Sequence, residues 1–431
     1  MSEHSQKSKR SIVWYAFLMV LMVAGAVAVF IRAKEGLIVT NLTSTTPWGT
    51  WVAFYIYFVG MSAGAFLLSS LIYVFGMDQY EKIGKDALLV AILSMVLAMA
   101  FILLDLGHME RFWHALWYMN WTSILAYEVR FYVVYVVLLL SELYFAMRID
   151  LIKTSAVKDW KGKLAKFLSL GSKDTSDESK RQDHKMLKVL GTLGIPIAIF
   201  GVHGGTGALF AVVKARPFLN SALFPIIFVV SALVSGTALL IAFYVIRNKV
   251  SGNPIDQPMV KGLAGILALF LLIDVGLQFY EFLIGAYGLG HEELATMKVM
   301  IMSDFSWSFW GVQMFLGVVV PLFLIFFKKT KQSVTAITAA AILVAIGILG
   351  VRFNIVLPAL IVPVMEGLPQ GYYYPTWIEV ISSGGVIALG LFLYSVAVNV
   401  LPIHTESGHD QVSAHPLTLE PRTSGRSGET I

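Results

Sequence analysis

The feature that most restricts what this chain can become is a series of long apolar runs separated by short polar stretches. A helix rises 1.5 Å per residue, so roughly 20 apolar residues cross the hydrocarbon core of a bilayer. Runs of that kind lie near 12–32, 50–76, 87–104, 122–147, 187–212, 220–246, 262–285, 304–327, 334–352 and 376–400. Of the 431 residues, 57% are hydrophobic and only 14% charged, whereas about a quarter of a soluble domain is charged. One aqueous core cannot bury this much apolar surface. The fold class that follows is all-α: a polytopic membrane protein with about ten transmembrane helices. The first run follows Lys7, Lys9 and Arg10, as a signal peptide would. It exceeds the roughly 7–15 residues of a signal core, and no small-residue cleavage site closes it, so it reads as the first spanning helix.

The charges orient the set. The N-terminal tail is basic, the polar segment 148–186 is rich in lysine, and residues 328–331 read Lys-Lys-Thr-Lys. With ten spans all three fall on one side, which the positive-inside rule makes the cytoplasm, together with both termini. The loops 33–49, 105–121, 213–219, 286–303 and 353–375 face outward. They hold Trp48, Trp51, Trp113, Trp117, Trp121, Tyr372, Tyr373, Tyr374 and Trp377, most of which suit an interfacial aromatic belt. The basic residues sit in loops between spans, so nucleic-acid binding is not expected. The tail 401–431 is polar and reads as disordered. Its His404, His409 and His415 match no metal-binding spacing.

The chain has no cysteine. Disulfides, thiolate-held iron–sulfur clusters and c-type haem are therefore excluded. A bis-histidine haem needs two histidines inside the spans, and only His203 lies well within one. No metal site and no haem are expected.

Ionisable groups inside a bilayer are costly and point to function. Asp105 ends the third run, Glu128 and Arg130 lie in the fourth, and His203 lies in the fifth among several glycines. Asp274, Gln278 and Glu281 lie in the seventh, Arg352 ends the ninth and Glu379 opens the tenth. At 1.5 Å per residue, Glu128, Arg130 and His203 fall about 9–13 Å below the outer ends of their helices, and Asp274 falls at about 18 Å. The bland alternatives are a Glu128 or Asp105 pair with Arg130 that locks helices, and an interhelical polar contact for His203. A polar pocket with a histidine, acids and aromatic rings suits a quinone: its carbonyls need donors, and its two-electron chemistry needs a proton carrier.

Several segments resemble the NrfD/PsrC family of quinone-linked membrane subunits, in its ten-helix branch. They are Pro47-Trp48-Gly49-Thr50-Trp51 with Gly60 and Gly64, Leu104-Asp105-Leu106-Gly107, Ser123 to Glu128, His203-Gly204-Gly205-Thr206-Gly207 with Arg216-Pro217, and Gly371-Tyr372-Tyr373-Tyr374-Pro375-Thr376-Trp377-Ile378-Glu379. The resemblance implies two four-helix bundles, helices 2–5 (50–219, with the polar insertion 148–186) and 6–9 (220–352). They would be flanked by one helix on each side (12–49 and 353–400), with tails at 1–11 and 401–431. It implies a quinone, menaquinone by expectation, near the outer end of the first bundle. His203, Asp105, Glu128 and Arg130 would be catalytic there, with Trp48, Gly64, Gly205 and Thr206 as further contacts. A proton route would use Glu128, Arg130, Asp274, Glu281, Arg352 and Glu379. Electrons would cross to a ferredoxin-like iron–sulfur subunit on the outer face, with a multihaem cytochrome or molybdopterin-type subunit beyond, in a prokaryotic inner membrane. A secondary transporter and a structural anchor are the rival classes at this stage.

Overall fold

A computed structural model of the protein describes residues 3–403 except 119, 289 and 366. The expected disorder of the tail falls, beyond Ile403, outside the described residues. Among those residues there is no strand, and ten helices are long and apolar enough to cross a membrane. They are α1 (Glu3–Glu35), α2 (Thr50–Tyr73), α3 (Gly84–Asp105), α4 (Ile124–Ser155), α5 (Asp177–Ala211), α6 (Phe224–Ser251), α7 (Gln257–Tyr287), α8 (Trp307–Phe326), α9 (Val334–Ile361) and α10 (Trp377–Val400). The chain is a multi-pass membrane protein.

Helices α2–α5 pack as one group and α6–α9 as another, and α2 lies along α6 at the seam. One expectation needs correction. Helices α1 and α10 do not stand on opposite flanks: they pair with each other, and α10 rests on α3. The cause is a close crossing, since a Cβ on Gly25 would lie 2.5 Å from the Gly385 Cα. The seam is built the same way. A Cβ on Gly64 would fall into the Ala232 carbonyl, and Gly236 faces the Gly64 backbone. Lipid gives helices no hydrophobic reason to associate, so close backbone approach through small residues drives packing here.

Two elements depart from the runs seen in sequence. The ninth helix does not end at Arg352 but continues to Ile361, leaving Arg352 0% exposed within it. The segment 148–186 is largely helical. It comprises the last turns of α4, a helix Trp160–Leu168 and the first turns of α5. Ion pairs fasten this lysine-rich side. Arg247 pairs with Asp86, Lys85 with Asp150 at 2.5 Å, and Arg148 with Asp183 at 2.7 Å. Each joins two different spans, and removing one partner of such a buried pair costs about 3–5 kcal/mol. At the entrance to α7, Asp256 caps the helix through the Met259 amide. The Lys82 ammonium, 2.7 Å away, is the main reason its carboxyl is held below the usual range.

Of the aromatic residues in the outward loops, Trp117, Trp121, Tyr372 and Tyr374 are exposed. Trp51 and Tyr373 are buried instead. Trp51 donates to Ser382 Oγ at 3.1 Å, and the Tyr373 hydroxyl accepts from the Thr50 amide at 2.8 Å.

Candidate functional site

Four polar groups lie inside the helical bundle. The first joins α2, α4 and α5. Glu128 is 0% exposed, and its Oε1 accepts hydrogen bonds from the Tyr132 and Thr206 hydroxyls. The Tyr55 hydroxyl lies 2.6 Å from that of Tyr132. The other carboxylate oxygen, Oε2, is buried without a hydrogen-bond partner among the described residues. Tyr132 follows Glu128 by one helical turn, so both project from one face of α4. Gly205 lies against this group: a Cβ there would make ordinary contact with Tyr127 at 3.7 Å and the Glu128 side chain at 3.9 Å.

The second group centres on His203 and Arg352, brought together across the seam by α5 and α9. Pro196 interrupts α5. It lacks an N–H and its ring crowds the preceding turn, and the helix widens to an i→i+5 winding over Ile197–His203. Such bulges are frequent at functional sites. The imidazole lies against the backbone of α2, where a Cβ on Gly60 would be 3.1 Å from the ring. Arg352 Nη2 sits 3.4 Å from His203 Nε2 and donates to Ser231 Oγ at 2.9 Å. A guanidinium only donates, so Nε2 accepts and the ring proton sits on Nδ1. That N–H is buried with no partner among the described residues, as are Nε and Nη1 of Arg352. The Arg352 guanidinium also lies 4.4 Å from the centre of the Phe228 ring. Rings at 5.3, 5.8 and 5.3 Å lead from Trp48 through Phe210 and Phe228 to His203.

A third group crosses α7, α8 and α9. Asp274 Oδ2 accepts from Gln278 at 2.6 Å, Gln278 from Gln313 at 2.8 Å, and Gln313 from Asn354 at 2.7 Å. Asp274 Oδ1 has no partner among the described residues. A cavity of about 30 Å³ adjoins Gln278, Gln313, Asn354 and Glu281, enough for a water or two. Glu281 accepts from Ser221 at its far end, at 2.8 Å.

The fourth group holds Asp105, whose Oδ1 is buried with no partner among the described residues, beside Arg32, which donates to the Leu104 and Leu106 carbonyls at 3.1 and 2.5 Å.

Several expected site residues are therefore distributed differently. His203 contacts Arg352, which was expected at the outer end of the ninth helix. Asp105 belongs with Arg32. Arg130 stacks 3.6 Å from the Trp121 ring centre, while Glu128 binds hydroxyls. Glu379 closes the capping box of α10 with Thr376 and accepts from Tyr373. Gly64 packs on α6, and Thr206 joins the Glu128 group. Sequence reasoning passed over Tyr55, Tyr132, Ser231, Gln313, Asn354 and the buried Glu142. Glu142, Ser231 and Gln313 are polar residues inside apolar runs and are visible as such, whereas Asn354 lies just beyond the run 334–352. Tyrosines read as apolar and give no such signal.

A family profile described as "Polysulphide reductase, NrfD" matches residues 38–364. The chain is similar to a subunit of the selenate reductase of Mesobacillus selenatarsenatis, 39% identical over 404 residues, covering 90% of this chain and 94% of that protein. It is also similar to the Hdr-like menaquinol oxidoreductase integral membrane subunit of Archaeoglobus fulgidus, 26% identical over 93% of this chain and 96% of the relative. The menaquinone reductase integral membrane subunit of Nitratidesulfovibrio vulgaris is 26% identical over 90% and 91%.

Proposed function

The chain belongs to the polysulphide reductase NrfD family, and on that premise we propose that it is the quinone-reactive membrane subunit of a respiratory oxidoreductase complex. The observation that carries the proposal is a pair of buried groups left open by the protein: the Nδ1–H donor of His203 and the Oε2 acceptor of Glu128. A quinone carbonyl needs such a donor, and a quinol hydroxyl needs such an acceptor. The residues present fit the group. His203, Glu128 and Thr206 would hold the headgroup. Menaquinone is the quinone that the names of two relatives indicate.

When bound, the quinone supplies two-electron, two-proton redox chemistry. This chain's residues orient the headgroup and handle the protons. Glu128 takes or gives a proton at Oε2 while Tyr132 and Thr206 hold Oε1 in place. Arg352 fixes the imidazole by occupying Nε2. The cysteine-free chain has no iron–sulfur centre, so electrons pass to a partner. A ferredoxin-like subunit on the outer face is the proposed one, linked onward to a catalytic subunit. Protons cross by way of Asp274, the polar chain to Asn354 and Glu281, with Arg352 between Asp274 and His203. Glu142, on the same face of α4 as Glu128, would serve the lysine-rich side. That side is proposed as the cytoplasm of a prokaryotic inner membrane, by the positive-inside rule.

The test is purification with native lipid, followed by quinone extraction and identification of the subunits that accompany the chain. Bound menaquinone with an iron–sulfur partner is expected. A solitary protein that carries a labelled solute and holds no quinone would overturn the proposal in favour of a transporter.

A further inference from the structure

The short helix Trp160–Leu168 plays no part in the redox reading. Its inner face packs on the protein through Gly162 and Ala165, both buried. The opposite face carries Trp160 and Phe167, 59% and 75% exposed, with Leu164 between them, and Leu170 just beyond at 77%. Residues 160, 164 and 167 recur at helical spacing, so they form one continuous apolar stripe. Lys161, Lys163 and Lys166 border it, and Lys158 and Lys173 lie within a few residues.

Two contacts fix the height of this helix. Lys161 Nζ donates to the Asn399 carbonyl at 2.9 Å, in the last turn of α10. The Tyr144 hydroxyl donates to the Ser169 carbonyl at 3.3 Å. Tyr144 lies about 30 Å along α4 from its outer end at Ile124, the full thickness of the hydrocarbon core. The chain leaves the bilayer at the end of α4 and the helix folds back to its boundary. A stripe of exposed Trp160 and Phe167 with the half-buried Leu164 between them, edged with lysines at that height, matches an interfacial helix, whose rings enter the acyl boundary while its ammonium groups meet lipid phosphates.

We propose that Trp160–Leu168 is a lipid-binding element that seats on anionic phospholipid of the leaflet on the lysine-rich side. The proposal is independent of the quinone reading.

The lack of native cysteine makes the test direct. Phe167→Cys in the full-length protein is labelled with an environment-sensitive fluorophore and reconstituted in nanodiscs of phosphatidylcholine, with or without phosphatidylglycerol. Phe167 is exposed, so the change leaves the fold intact, and an unchanged gel-filtration profile checks this. The expected result with phosphatidylglycerol is strong quenching by lipids spin-labelled near the headgroup and weak quenching by aqueous iodide. Iodide quenching should rise at least about twofold when Lys163→Gln and Lys166→Gln are added, or when phosphatidylglycerol is left out. Iodide access in both lipids, as high as for a label at Ser176→Cys, would overturn the membrane assignment and leave the stripe for a soluble partner. Lipid burial indifferent to phosphatidylglycerol and to the lysines would overturn the anionic assignment.

Discussion

Replacing Glu128 by Gln separates proton handling from architecture. The Gln side chain keeps a carbonyl oxygen where Oε1 accepts from Tyr132 and Thr206. Its amide nitrogen then stands where Oε2 has no partner. Each buried N–H donor lacking an acceptor costs about 1–3 kcal/mol, so the two cost at most about 2–6 kcal/mol, against a total stability of about 5–15 kcal/mol. The variant should therefore assemble. What it loses is a group that exchanges a proton with bound substrate, worth about 10²–10⁴ in rate. The two effects are read apart because one appears in assembly and the other in turnover. Glu128→Asp completes the comparison, because it keeps the carboxyl but withdraws it by one carbon–carbon bond, about 1.5 Å, out of reach of the two hydroxyls. Its turnover should fall between the parent and Glu128→Gln. The assay is quinol-dependent reduction of an acceptor by the purified complex, with assembly scored by gel filtration. An assembled Glu128→Gln complex turning over within about twofold of the parent would refute the role of Glu128, since no rate-limiting proton transfer could then pass through it.

His203→Ala should cut quinone-linked turnover by a similar factor of about 10² or more in an assembled complex; full activity would leave the imidazole with helix packing alone. Asp274→Asn keeps the Gln278 contact but ends charge cycling, so quinone chemistry in detergent should survive while proton movement in vesicles is lost. If both survive, or both fail together with assembly, the relay through Asp274 is wrong. Gly64→Leu drives a side chain into the α6 backbone and should cost at least about 1–3 kcal/mol, lowering the thermal unfolding midpoint, whereas Gly265→Ala, with open space around it inside a helix, should leave that midpoint unlowered or raise it slightly. Reporter fusions at positions 165 and 115 should give opposite answers, and the same answer at both would reverse the proposed topology.

The sequence by itself determined the solvent, the helix number and the family. Bilayer thickness sets one length for every span, and ten runs of that length can be counted without knowing any contact. It also determined which groups are costly to bury, because a charge inside an apolar run is visible at any position. It did not determine which of those groups meet. His203 and Arg352 are 149 residues apart and come together only because Gly64, Ala232 and Gly236 let α2 and α6 lie close enough to bring α5 and α9 to one point. The run containing Arg352 looked finished there because a charge ends an apolar count. In the fold the helix continues to Ile361, since Arg352 faces Ser231, His203 and Phe228 instead of lipid. Glu379 shows the converse: the sequence marked it only as a charge opening the tenth run, and the fold made it the capping partner of Thr376 and bound it to Tyr373. The pairing of α1 with α10 was hidden for the same physical reason. Apolar faces are interchangeable in lipid, so hydropathy cannot choose a neighbour, and the choice rests on the shape of facing surfaces, at Gly25 against Gly385, that only the folded chain brings into register.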